Sequence, residues 1–147
     1  MLDEYRELID LLAQTPKQLK DGAAAAGDPP DGEWSAAQII GHMAAAEFYF
    51  LERINLLLRQ DDPYLRSFAD AATERQKSMM ENDVETNLAA FNDLRGETVS
   101  TLMSLALNLW TRSGTHETAG AMAVEDVVDM MIDHDTDHVQ QIANLAT

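Results

Sequence analysis

The stretch "MMIDHDTDHVQQIANL" places His134 and His138 four residues apart, two of only four histidines in a chain of 147 residues. On an α-helix, positions four apart differ by about 40° in direction and lie one turn apart, so both imidazoles can reach one point in space. Their neighbours one turn away, Met130, Met131 and Ile142, are apolar, which sets that point against a stripe the helix should bury. His42 offers a third imidazole from an earlier helix. It lies about seven residues, roughly 10 Å, inside the start of that helix, and His138 lies about six residues, roughly 9 Å, before the end of the last one. The two depths coincide when those helices run antiparallel. Three imidazoles match the protein ligand count of catalytic zinc sites that keep a fourth position for water or substrate, and imidazole also suits nickel and iron. With no cysteine in the chain, any metal must be held by nitrogen and oxygen donors. The competing account is that His134 and His138 are hydrogen-bonded histidines of core or surface, because this spacing arises often by chance. His116 falls in a loop, apart from the other three.

Other polar residues sort around this constellation. Asp137 and Gln141 lie near the histidine face, where each could accept a ring N–H; a contact at the bundle edge is the alternative for both. Asp135 points about 100° from His134 and is expected in solvent. Glu47 sits five residues after His42, too far round the helix to share an ion with it, and is expected to pack or pair across the bundle. Arg53 and Arg95 project near apolar stripes, where a charge needs a partner, and the expectation is that both extend to the surface. A second account lets Arg95 orient an anionic substrate. The sequence H-D-T-D-H lacks the glutamate of H-E-x-x-H, which argues against an ordinary zinc protease.

Four helices should position these groups. Leu2, Tyr5, Leu8, Ile9 and Leu12 give the first an apolar face before Pro16 interrupts it, and "DGAAAAGDPPDG" reads as a connection. The second opens at Ser35, with Gln38 completing a capping box and Trp34 placed as a hydrophobic staple, and runs to about Arg59. Its inward face is Ile39, Met43, Ala46, Phe50, Ile54 and Leu57. A long connection follows, holding a short helix around "DAATERQKSMM" and allowing helices two and three to run parallel. The third helix is expected from about Val84 to Trp110, with Leu88, Phe91, Val99, Leu102, Ala106 and Leu109 inward. After the break "TRSGTHETAG", the fourth runs from about Val124 to Asn144. No strand signal or internal repeat is read. Such helices hide their faces against one another, which predicts an all-α four-helix bundle, one domain over residues 1–147.

The 26 acidic and 10 basic residues give a formal net charge of −16, which repels phosphate backbones and anionic membranes and excludes nucleic acid as a partner. The amino terminus "MLDEYRELIDLLAQ" carries acids where a signal peptide carries bases, and no apolar run is long enough to cross a bilayer. The expectation is a soluble cytoplasmic protein.

The segments "EWSAAQIIGHMAAAE", "DPYLRSFADAATERQ", "FNDLRGETVSTLMSL", "GTHETAGAMAVEDVV" and "HDTDHVQQI", in this order over most of residues 33–142, resemble the DinB/YfiT-like superfamily of metal-dependent four-helix proteins. The resemblance implies an up-down-down-up bundle, with His42, His134 and His138 binding a divalent metal, commonly nickel or zinc. It also implies a small-molecule substrate and is compatible with a homodimer. Relatives include thiol transferases using bacillithiol or glutathione and a mycothiol-dependent maleylpyruvate isomerase. The expected activity is therefore transfer of a low-molecular-weight thiol cosubstrate to an electrophile. The alternatives are metal-dependent hydrolysis and a non-enzymatic, stress-related metal-binding bundle.

Overall fold

The computed structural model describes residues 2–146. Helix α1 (Asp3–Ala25) passes straight through Pro16 and takes in Asp21–Ala25, so the expected interruption does not occur and the connection shrinks to its second half. Proline removes one donor from the helical ladder and frees the carbonyl four residues earlier. That carbonyl, on Leu12, accepts a hydrogen bond from Arg95 at 2.9 Å, so the defect is repaired from another helix.

α2 (Ala36–Arg59) begins as the sequence reads: the Gln38 N–H donates to Ser35 Oγ at 3.2 Å and the Ser35 N–H to Gln38 Oε1 at 2.9 Å. β1 (Tyr64–Leu65) and the short α3 (Ala69–Lys77) occupy the long connection. α4 (Val84–Met103) is capped by Asp83, whose Oδ1 accepts from the Thr86 N–H at 2.8 Å. It ends seven residues before the expected Trp110. Leu107–Leu109 form a 3-10 turn instead, Ala106 is exposed, and Trp110 is buried in a stack on Tyr5 with ring centroids 4.3 Å apart.

The segment read as a plain break forms the hairpin β2 (Ser113–His116) and β3 (Gly120–Ala123), and β2 also pairs in parallel with β1. A Cβ at Gly114 would stand 2.5 Å from the Pro63 carbonyl oxygen, so glycine is what lets β2 close on the earlier segment. α5 (Val124–Ala143) completes the chain, with Asp126 accepting the Ala123 N–H at 2.8 Å. Among the described residues there are thus four long helices, the short α3 expected in the connection, and a three-stranded sheet where no strand was expected. No helix among them is long and apolar enough to cross a membrane.

Long-range bonds set the helix directions. Tyr5 Oη donates to Glu125 at 2.6 Å, Thr15 Oγ1 to Asp135 at 2.7 Å, and Ala26 bridges Ala146, so α1 and α5 run parallel in one constant register. Asn87 Nδ2 reaches the Ala37 carbonyl while Arg95 reaches Glu47, so α2 and α4 are also parallel. Against α5, α2 runs the opposite way: His42 meets His134, and Arg53 meets Met122 of β3, just ahead of the start of α5.

The core divides into two apolar clusters. One gathers Leu12, Phe50, Leu102 and Met131, the other Leu19, Met43, Phe91 and Ile142. Between them along every long helix lies a polar layer. Arg95 donates through Nε and Nη2 to both Glu47 oxygens at 2.9 and 2.8 Å, and through Nη1 and Nη2 to both Asp135 oxygens at 2.7 and 2.9 Å. With the Leu12 carbonyl as the fifth acceptor, every guanidinium N–H is used. Thr98 donates to Glu47 at 2.9 Å and Thr15 to Asp135 at 2.7 Å. Burial alone would lower the guanidinium pKa, but the hydrogen bonds and charges of Glu47 and Asp135 outweigh it and hold it raised.

Three expectations are corrected here. Arg95, 2 % exposed, neither reaches the surface nor has a free donor for a substrate anion. Asp135, 6 % exposed, is not solvated, because its own pair with Arg95 draws it inward. Arg53 is also buried; it donates to the Arg66 carbonyl and lies 4.7 Å from the Phe68 ring centroid. Glu47 does pair across the bundle.

Replacing Arg95 by Leu strands two buried carboxylates, and breaking a buried pair in this way costs about 3–5 kcal/mol. Urea unfolding of Arg95→Leu should show a loss of that order. A loss under about 1 kcal/mol, typical of exposed pairs, would show that the layer contributes little.

Candidate metal centre

His42 follows Gly41, and the glycine matters to its surroundings. A Cβ there would lie 2.9 Å from Asn87 Nδ2 and 3.2 Å from Met79 Cβ, so the segment after α3 can press against α2 only because residue 41 has no side chain. The buried Asn87 secures that approach, donating to the carbonyls of Ala37 at 2.9 Å and Met79 at 3.1 Å. α3 is thereby held over α2, and Gln76 near its end places Oε1 2.7 Å from His42 Nδ1.

On α5, Gln141 Oε1 lies 2.8 Å from His138 Nδ1. An amide oxygen can only accept, so each ring donates through Nδ1 and keeps its Nε2 lone pair for the interior. His42 Nε2 and His134 Nε2 are 3.1 Å apart, and one ligand atom from each of His42, His134 and His138 falls within a 4.8 Å span. Trp34 and Phe50 flank the rings at centroid distances of 5.3 Å from His42 and 5.7 Å from His134.

Burial pushes His134 down to about 3, with the charges of His138, His42 and Arg95 adding to the effect. Burial also lowers His42, against the opposing hydrogen bond that its ring donates to Gln76. Both rings are neutral at pH 7, the state a metal ligand requires. A tetrahedral ion about 2.0–2.1 Å from each nitrogen needs nitrogens about 3.3 Å apart, which the donors can reach by side-chain adjustment. The donor set therefore fits a divalent metal.

The other candidates separate clearly. Gln141 stands against a ring N–H. Asp137 is exposed and bonds none of the three imidazoles among the described residues. Arg95 lies in the polar layer, one residue from the centre through its partner Asp135. His116 closes the β2–β3 turn, its Nδ1 accepting from the Thr118 and Ala119 N–H groups at 3.2 and 3.1 Å. Gln76 is the residue that sequence reasoning missed. It is 34 positions from His42, on a helix with no marked apolar face, and nothing local in the sequence signals it.

A family model described as the DinB superfamily matches residues 3–142. The chain belongs to the DinB superfamily. Within it, YfiT of Bacillus subtilis (strain 168), whose name carries a provisional metal-dependent hydrolase assignment, is 23 % identical over 145 residues, covering 94 % of this chain and 82 % of YfiT. The solved structure of YfiT, described as a probable metal-dependent hydrolase with an unusual four-helix bundle topology, superposes with a TM-score of 0.85 at 22 % identity, covering 99 % of this chain and 87 % of that one. The crystal structure of a mycothiol-dependent maleylpyruvate isomerase gives 0.75 at 12 % identity over 97 % of this chain and 62 % of the other. The DinB/YfiT-like fold is shared, and in this DinB-superfamily chain the three imidazoles form a site capable of coordinating a metal ion.

Two measurements test the centre. Loss of a residue that orients a metal-ligating histidine typically lowers affinity 10–100-fold, so Gln76→Ala should weaken divalent binding by about tenfold or more in calorimetric titration, with Gln76→Glu restoring it. Equal affinity in Gln76→Ala would remove Gln76 from the site. Because the folded pKa of His134 lies below its ordinary 6.5, the unfolded chain binds more protons. The stability concerned is complete above pH 6.5 and declines as pH falls toward the folded value. In chelator, melting temperature between pH 7.5 and 5 should fall more steeply for wild type than for His134→Gln; parallel slopes would contradict this.

Proposed function

We propose that this protein is a divalent-metal-dependent hydrolase of a small molecule, with His42, His134 and His138 as the metal ligands and nickel or zinc as the ion. The observation that carries this reading is the convergence of three imidazoles joined by no Asp, Glu or Cys ligand atom among the described residues. Three protein ligands suit a site that admits water and substrate, whereas structural sites are usually closed by a fourth. When bound, a divalent ion supplies Lewis acidity for polarising a carbonyl and acidifying water.

The chain's own residues supply orientation and exclusion. Gln76 and Gln141 hold two rings by their Nδ1 protons, and Trp34 and Phe50 wall the approach with apolar surface. The polar layer behind His134 fixes α5 through Asp135.

Hydrolysis is preferred over thiol transfer because likeness to YfiT extends along the sequence as well as the fold. The mycothiol-dependent enzyme supports the fold alone. Thiol transfer would use the same open position with a thiol in place of water, so one assay separates the two.

Protein loaded with zinc or nickel is to be presented with esters, amides and lactones, and separately with electrophiles plus bacillithiol, mycothiol or glutathione. The expected result is hydrolysis that chelation abolishes. Each His→Ala variant should lose more than the about 10–100-fold that removing a supporting residue costs. Turnover only in the thiol arms would replace hydrolysis by transfer, and unchanged metal binding in all three variants would end the triad assignment.

A further inference from the structure

A cleft of about 470 Å³ opens between the connection after α1 and the end of α5, a size within the range of small-molecule sites. It shares two walls with the metal centre. Trp34 lines it and stands 5.3 Å from the His42 ring, while Gln141 lines it and holds His138 Nδ1 at 2.8 Å. A molecule lying in the cleft therefore has one end beside the histidines.

The chemistry of the lining is selective. Trp34 and Leu145 give it apolar surface, Gln141 and Asn144 give neutral amides, and Glu33 is the one ionisable side chain that lines it among the described residues. Cations are missing over a much wider area. The sequence contains no Lys or Arg from Asp21 to Glu52 or from Ser113 to its end, and these two stretches supply the whole lining and all three histidines. Asp28 and Asp31 add negative charge on the same connection. The buried Arg95 is fully engaged by Glu47 and Asp135, and on α3 Arg75 lies 3.6 Å from the Phe48 ring centroid while Lys77 pairs with Glu74. Among the described residues no cation lines the cleft to match a substrate carboxylate or phosphate, while a carboxylate and an indole lining one cleft favour a cation.

We propose that this cleft recognises a substrate whose non-reacting end is an ammonium group on an apolar or aromatic body. The body lies against Trp34 and Leu145, the ammonium faces Glu33, and the bond to be hydrolysed extends past Gln141 toward the histidines. This assignment rests on the hydrolase reading above and adds the substrate class.

The test uses three probes of one shape, 2-phenylethylamine, 2-phenylethanol and phenylacetate, titrated into metal-free protein so that phenylacetate cannot bind through an ion. The indole N–H resonance of Trp34 reports binding, and that of the fully buried Trp110 serves as the internal control. The amine should shift Trp34 with an affinity about threefold to fivefold above the alcohol, the increment of an exposed charge pair, and phenylacetate should be weakest. In Glu33→Gln the amine and alcohol should become equal. Equal binding in the wild type, an amine preference that survives Glu33→Gln, tightest binding by phenylacetate, or no shift at Trp34 would each overturn the proposal. Divalent-metal titration of the wild type keeps the two readings apart. Metal binding without amine selectivity removes the cleft assignment alone, and amine selectivity without metal binding at the histidines removes the hydrolase reading and the substrate role with it.

Discussion

One guanidinium, that of Arg95, organises the interior. Its five donors meet acceptors from α1, α2 and α5, while it is itself carried on α4, so all four long helices share a single planar group. A buried ion pair gains little net stability against an apolar replacement. It does restrict the arrangements that satisfy it: any rotation or slip of α5 that moved Asp135 off the guanidinium would leave a bare carboxylate in the core. His134 precedes Asp135, so the same restriction sets the direction in which that imidazole points. The apolar clusters on either side have no comparable directionality, since packed aliphatic side chains tolerate small shifts far better than a bidentate carboxylate does.

The candidate metal centre was legible where its signals were local. His134 and His138 declare themselves by one helical turn, Ser35 and Gln38 by a capping box, and Gln141 by its three-residue distance from His138. His42 became legible through depth along its helix. What escaped was set by partners distant in sequence. Pro16 reads as a helix break until Arg95 is known to satisfy the Leu12 carbonyl. Asp135 reads as solvated from its angle to His134, because helical geometry gives a direction without saying that a buried arginine waits there. Gln76 has no local mark at all, and the hairpin at Ser113–Ala123 is too short and too rich in small residues to show alternation.

The connection between α2 and α4 has a double role. It carries the chain back so that α2 and α4 can run parallel, and it brings α3 against His42. Asn87 and Gly41 are the means: one supplies hydrogen bonds to two carbonyls, the other the space to make them. Support for His42 thus comes from a crossover segment, and support for His138 from its own helix.

His42 and His134 are separated by 92 positions, while His134 and His138 are separated by four. The two kinds of spacing imply an order of assembly. A lone turn of α5 can present its pair of imidazoles as soon as it is helical, whereas the third must wait for a long loop to close, a step whose entropy is recovered only when the surrounding core packs. An unfinished chain would thus hold an ion by two nitrogens at most, weakly and reversibly. The convergence of all three nitrogens becomes a checkpoint on completed folding, reached only when the bundle around it has closed.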